Sequence, residues 1–93
     1  MENEKRLYTT RDLYLASTLM SLGFDLNGID YQSEGEHPRP VGYFSFEDNQ
    51  DLQMAVKEYW AHKLAIEPQQ FMVNLRNLKA QVNGAYKSPH SKF

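Results

Sequence analysis

The chain has 93 residues, 41% of them hydrophobic and 24% charged, which indicates one folded domain and argues against wholesale disorder. The absence of cysteine excludes disulfide bonds and thiolate zinc sites, and the net charge of −2 argues against a generally basic nucleic-acid binder. No apolar run approaches the roughly 20 residues of a membrane span and a signal peptide's regions are missing, so we expect a cytoplasmic protein.

The predicted elements begin with a short edge strand at residues 5–9 and a helix at residues 11–22. Thr9 and Thr10 are candidate N-cap residues, and Gly23 stands where a left-handed C-cap is expected. The apolar side of the helix covers about half of its circumference and comprises Leu13, Leu15, Ala16, Leu19, Met20 and Leu22. The other side comprises Arg11, Tyr14, Ser17, Thr18 and Ser21. An apolar side this wide predicts contact with both a sheet and another helix.

Two further strands are predicted, at residues 24–32 and 41–46, and the loop 33–40 between them is expected to be exposed. The apolar alternation of the first strand changes phase at Asn27 and Gly28. A bulge or a tight turn there would explain the change, and the bulge is favoured. We expect the two strands to pair as an antiparallel hairpin.

The stretch 42–64 is expected to organise the core. Phe44 and Phe46 share one strand face, and residues 47–49 offer side-chain oxygens to the start of a second helix. The inward face of that helix comprises Leu52, Ala55, Val56 and Tyr59. Trp60 lies at the border of this face. We predict that Phe46 and Trp60 are core residues, whereas an exposed Trp60 would mark a partner site.

A third helix is predicted to begin at Glu67 and Pro68 and to stop at Asn83 and Gly84, with fraying into Tyr86. Its core-facing stripe comprises Phe71, Leu75, Leu78 and Val82. One flank of this helix is basic and comprises Arg76, Lys79 and Lys87, together with Gln69 and Asn83. Such a flank can follow a phosphate backbone. The alternative, which we favour, is that late cations complement the helix dipole and keep the surface soluble.

The element order predicts an α+β fold. It reads β-α-β-β-α-α, so a small two-layer domain is expected, with a three-stranded, mostly antiparallel sheet packed against helices. Residues 1–87 are predicted to form this single domain and residues 88–93 a flexible C-terminal tail.

Candidate chemistry is sparse. The three histidines are dispersed, and only His62 has a carboxylate at helical spacing, that of Glu58, for which a surface helix contact is the better explanation. The glycines form no phosphate-binding loop, and no nucleophile motif is found. We therefore expect no catalytic residue, no cofactor and no metal.

Charge is distributed unevenly along the chain. Residues 1–51 carry ten acidic and four basic residues, giving −6, whereas residues 52–93 carry two acidic and six basic residues, giving +4. Such asymmetry favours an interaction surface or self-association.

Several short segments keep the order and spacing of a known family. They are Tyr8-Thr9-Thr10-Arg11-Asp12-Leu13 with Ala16, Leu22-Gly23-Phe24, Tyr43-Phe44-Ser45-Phe46-Glu47-Asp48, Tyr59-Trp60 and Asn74-Leu75-Arg76-Asn77-Leu78-Lys79. Over about residues 7–82 the chain resembles a family of short uncharacterised proteins from bacteria and their phages or other mobile elements, catalogued only as a domain of unknown function. The resemblance implies a bacterial or phage cytoplasmic protein and supplies no activity, ligand or catalytic residue.

The sequence therefore favours a small non-enzymatic binding module. It would act through contacts with another protein or with a second copy of itself, as an accessory or inhibitory factor of a phage or mobile element. The alternative is a nucleic-acid-binding module that uses the basic flank of the last helix. The candidate binding surface comprises Trp60, Arg76, Lys79, Asn83 and Lys87.

Overall fold

The structure is a computed structural model that describes residues 6–33, 35 and 40–86. Its elements are β1 (Leu7–Thr10), α1 (Leu13–Ser21), β2 (Leu26–Gln32), β3 (Val41–Glu47), α2 (Gln50–Trp60) and α3 (Pro68–Tyr86). The predicted β-α-β-β-α-α order and the α+β class are confirmed. Lys87 and the predicted tail 88–93 lie outside the described residues.

The three strands form one antiparallel sheet in the order β1-β3-β2. β3 lies in the centre, where Phe46 pairs with Tyr8 of β1 and with Leu26 of β2. Phe44 pairs with Ile29, two positions further along the same face. Both phenylalanines are buried, as predicted, because this face of the sheet meets the helices.

The predicted bulge in β2 is confirmed. The register shifts between Leu26 and Gly28. Leu26 pairs with Phe46 and Ile29 with Phe44, so β2 advances by three positions where β3 advances by two. Without the extra residue, either Leu26 or Ile29 would point to the outer face, because successive side chains alternate. The bulge therefore keeps both apolar side chains on the core side of the sheet.

The prediction of a threonine N-cap for α1 is wrong. Asp12 is the N-cap, and its carboxylate accepts hydrogen bonds from the backbone N–H groups of Tyr14 and Leu15 at 2.9 and 3.1 Å. Thr9 and Thr10 are still part of β1, paired with β3, so the helix begins two residues later than expected. The Thr10 hydroxyl instead accepts from the N–H of Asp12 at 3.0 Å.

The polar side of α1 is more deeply buried than the sequence pattern indicates. Ser17 and Thr18 are buried, and their hydroxyls donate to the carbonyls of Leu13 and Tyr14 at 2.9 and 2.8 Å. Because each hydroxyl is paired within the helix, burial leaves neither hydroxyl unsatisfied. Leu22, expected on the apolar side, is exposed because it follows the last turn of α1.

The core unites the sheet with all three helices. Its buried hydrophobic residues are Leu15, Ala16, Leu19, Phe44, Phe46, Leu52, Ala55 and Leu78. Trp60 is absent from this set, and the prediction of a core tryptophan is wrong because 60% of its surface is exposed. At about 100° per residue, Trp60 lies about 80° from the buried Leu52 on the helical wheel, at the border of the inward face. As the last residue of α2, it is left uncovered by the core.

α3 begins as predicted and ends later. The Glu67 carboxylate accepts from the N–H groups of Gln69 and Gln70 at 3.0 and 2.7 Å, which caps the helix start. The helix passes the predicted stop at Gly84 and continues to Tyr86, the residue to which the apolar phase was expected to extend it. Of the predicted core stripe, Leu78 is fully buried and the other members are half-buried.

Candidate protein-binding surface

The exposed Trp60 is the most prominent apolar feature of the described surface. It is the last residue of α2, and its ring packs edge-to-face on that of Tyr59, with the ring centres 4.9 Å apart and the planes at 86°. Tyr59 is itself half-buried against the core. The tryptophan ring is thus supported from one side and open to solvent on the other.

A shallow groove of about 450 Å³ opens beside this ring. We call it the Trp60 groove, and its lining residues are Thr18, Tyr59, Trp60, His62, Leu64 and Ile66. Leu64 and Ile66 are half-buried and Thr18 is buried, whereas His62 is exposed. The groove therefore combines an exposed aromatic side chain with partly covered aliphatic ones, a combination that suits an apolar side chain of a partner.

Tertiary packing assembles this groove from three parts of the chain. Thr18 comes from α1, Trp60 from the end of α2, and Leu64 and Ile66 from the connection to α3. Of the groove residues, only Trp60 was predicted from the sequence as part of a binding surface. The run of three apolar residues just before Glu67 was a usable signal, because apolar side chains in a short connection must be covered by a neighbour or left accessible.

Charged residues of both signs neighbour the groove residues along the chain. Lys57, one turn before Trp60, and Lys63, next to His62, are exposed. Glu58 is half-buried, and the Glu67 carboxylate already accepts two hydrogen bonds from the start of α3. The Asp12 carboxylate acts electrostatically on Tyr59 and adds a further negative charge, so charges of both signs lie around the groove.

The basic flank of α3 forms a second, separate feature. Arg76, Lys79 and Asn83 are exposed and line one groove of about 400 Å³, as the sequence placed them on one flank. The other lining residues are Met72, Leu75 and Ala80. Lys87, the third predicted cation, lies outside the described residues. Two of the three cations and the amide are therefore brought together, and Trp60 belongs to a different groove.

An amide on the opposite flank of α3 has a structural role. Asn74 is buried, and its side-chain NH₂ donates to the Ser21 hydroxyl of α1 at 3.0 Å. The Ser21 hydroxyl in turn donates to the Ser17 carbonyl at 2.8 Å. This chain of hydrogen bonds joins α1 to α3, so Asn74 serves helix packing.

Two tyrosines near Asp12 have altered acidity. Burial raises the pKa of Tyr8, and the nearby Asp12 and Asp48 carboxylates raise it further. Burial also raises the pKa of Tyr59, with a smaller contribution from Asp12. Both phenols therefore remain protonated at neutral pH and are poor candidates for a general base.

Among residues 6–33, 35 and 40–86, no group of three or more histidine, aspartate or glutamate side chains is arranged to hold a metal ion. No helix in the same part of the chain is long and apolar enough to cross a membrane.

Residues 5–84 match the model of a protein family described as a domain of unknown function (DUF5659). No curated protein and no solved structure matches the chain.

Proposed function

The chain belongs to the DUF5659 family, and we propose that it is a small non-enzymatic binding module that acts through contacts with another protein. The protein would act in the cytoplasm of a bacterium, as an accessory or inhibitory factor of a phage or other mobile element. The observation that carries the proposal is the 60% exposure of Trp60 beside an apolar groove.

Tryptophan is the residue most often found at the energetic centre of protein interfaces, because it buries a large rigid surface at small entropic cost. The packing of Trp60 on Tyr59 supports this role. A ring that is already held in place loses little freedom on binding, so more of the burial energy remains available for affinity.

Replacing Trp60 with alanine should separate binding from folding. We expect the free energy of unfolding to fall by less than about 1 kcal/mol, because surface truncations have small effects. Capture of a partner from nuclease-treated bacterial lysate on the immobilised protein should fall about tenfold or more. Quantitative mass spectrometry of the retained proteins measures this loss.

Met54→Ala is the matched control, since Met54 is 56% exposed on the same helix and lines neither the Trp60 groove nor the basic groove of α3. It should retain the same proteins as the native sequence. Equal capture by Trp60→Ala and the native protein would remove the Trp60 groove as the binding site.

The alternative function is nucleic-acid binding through the basic flank of α3. It is supported by the exposed Arg76 and Lys79, which line one groove with Asn83. The apolar residues in the same groove and the net charge of −2 weigh against it.

This alternative predicts a steep dependence of affinity on salt. Three phosphate contacts, with Lys87 as the third, would give a log–log slope of about −2 to −3 for a random oligonucleotide. Lys79→Gln should reduce the magnitude of that slope by about one. Fluorescence anisotropy at several salt concentrations measures both values, and an absence of binding at low salt would eliminate the alternative.

A further inference from the structure

The chain contains two Asn-Gly pairs, Asn27-Gly28 and Asn83-Gly84, and the fold places them in different surroundings. An asparagine followed by glycine is prone to cyclise, because the glycine nitrogen can reach the side-chain carbonyl carbon and no β-carbon on the second residue hinders the approach. The reaction needs a main chain that can turn locally and a nitrogen that is free to attack. Its rate in the folded protein therefore depends on the secondary structure around each pair.

Asn27 lies where the main chain of β2 is least constrained. It is the extra residue of the bulge, and of all the residues of β2 it alone has no partner in the register with β3. β2 is also an edge strand of the described sheet, so it is held from one side only. A bulge interrupts the hydrogen-bond ladder, and a segment with few such bonds opens more easily than a regular strand.

The surroundings of the first pair leave it accessible. Asn27 is exposed, and its side-chain amide makes no hydrogen bond with the part of the chain that the structure describes. It lines a polar hollow of about 380 Å³ beside the end of β3. A β-carbon placed on Gly28 would meet no described atom within 4 Å, so no side chain covers the glycine on that side.

The second pair is held by a helix. Asn83 and Gly84 both lie within α3 (Pro68–Tyr86). In an α-helix each N–H donates to the carbonyl four residues earlier, and at the C-terminal end the groups that lack partners are carbonyls. The Gly84 nitrogen is therefore engaged in the helix, although the Asn83 side chain is also exposed.

We propose that Asn27 is a site of spontaneous deamidation in the folded protein and that α3 protects Asn83. The Gly28 nitrogen bonds to the side-chain carbonyl carbon of Asn27, and the side-chain nitrogen takes up the glycine proton and leaves as ammonia. Water then opens the resulting succinimide ring. Attack on the side-chain carbonyl gives aspartate, whereas attack on the main-chain carbonyl gives isoaspartate, in which the chain runs through the β-carbon. The net reaction consumes water and releases ammonia, with no oxidation or reduction.

Deamidation changes both the charge and the geometry of the bulge. A carboxylate at this position faces the same hollow as Asp25 and Glu47, so like charges lie close together. Isoaspartate also adds a carbon to the main chain between Leu26 and Ile29, the two residues that the bulge keeps on the core side. The isoaspartate form should therefore unfold at a Tm about 4–8 °C lower. This reactivity is independent of the proposed protein-binding function, since Asn27 lies outside the Trp60 groove.

The two pairs allow a comparison within one molecule. The full chain is incubated in mildly alkaline buffer, because the attacking nitrogen must lose a proton. Trypsin then places the two asparagines in separate peptides, since Lys57 and Lys79 lie between them. Liquid chromatography with mass spectrometry measures the asparagine, aspartate and isoaspartate forms of each peptide. In the native protein Asn27 should convert about tenfold or more faster than Asn83. In concentrated urea the two should convert at similar rates, because unfolding removes the difference in backbone freedom.

Gly28→Ala separates the chemistry from the fold. The open space beside Gly28 accommodates a methyl group, so the circular dichroism spectrum should be unchanged. The same methyl group hinders the attack on Asn27 and should slow its conversion about tenfold. Gly84→Ala is the matched variant in α3, where the added β-carbon also meets no described atom within 4 Å. It should leave the conversion of Asn27 unchanged.

Three results would overturn the proposal. The first is conversion of Asn83 in the native protein at a rate equal to or above that of Asn27. The second is conversion of Asn27 that is fast only in urea, because the bulge would then protect its pair as well as the helix does. The third is an unchanged rate for Asn27 in Gly28→Ala, which would exclude attack by the nitrogen of residue 28. Thermal unfolding of the separated isoaspartate form tests the effect on β2, and an unchanged Tm would contradict it.

Discussion

Phe46→Ala should lower the free energy of unfolding by about 3–5 kcal/mol, a large part of the stability of a small domain. Phe46 is fully buried on the central strand, and it pairs with Tyr8 on one side and Leu26 on the other. Truncation therefore opens a cavity between the sheet and the helices that neither edge strand can fill without losing its register.

Urea denaturation followed by far-ultraviolet circular dichroism measures this loss. Circular dichroism is the better probe, because the exposed Trp60 changes its environment little on unfolding. Leu7→Ala on β1 is the control, since Leu7 is 48% exposed, and it should cost less than about 1 kcal/mol. Similar losses for both variants would contradict the assignment of Phe46 to the core.

Leu78→Ala should cost about 2–5 kcal/mol, because a buried leucine loses both its transfer energy and its packing contacts. Leu78 is the fully buried residue through which α3 joins the core. The hydrogen bond from the buried Asn74 to the half-buried Ser21 holds the same pair of helices together. Loss of the leucine therefore weakens the attachment of α3 to α1.

Val73→Ala is a control on the same helix, since Val73 is 44% exposed. Alanine has the higher helix propensity, so this variant should be nearly neutral or slightly stabilising. Hydrogen exchange of the α3 amides should accelerate in Leu78→Ala and remain unchanged in Val73→Ala. Equal stability of the two variants would mean that α3 contributes little to the core.

In α2, the apolar residues that pack in the core are separate from the apolar residue left for binding. Its inner face, with Leu52 and Ala55, is committed to the core, and its last residue, Trp60, is left at the surface. Trp60 was predicted to be a core residue because its side chain is large and lies at the border of the apolar face. The same size makes an exposed Trp60 the strongest indication of a binding surface in the described chain.

The sequence by itself determined the order and type of the elements, the bulge at Asn27 and Gly28, and the burial of Phe44 and Phe46. These features depend on local patterns, namely alternation in strands, periodicity in helices and turn residues between them. The same holds for the left-handed Gly23 at the end of α1. Nearby residues suffice to specify such features, because the alternatives would expose apolar side chains or strain the backbone.

Only the tertiary structure decided what covers each face. Ser17 and Thr18 are buried because α1 is enclosed by neighbouring elements, and Trp60 is exposed because the core ends one position before it. The Trp60 groove depends on bringing α1, the end of α2 and the following connection together. Burial depends on contacts between segments that are distant in the sequence. A local pattern indicates only which side chains are able to be buried. His62 shows the same limit, since its left-handed backbone follows from where α2 must end.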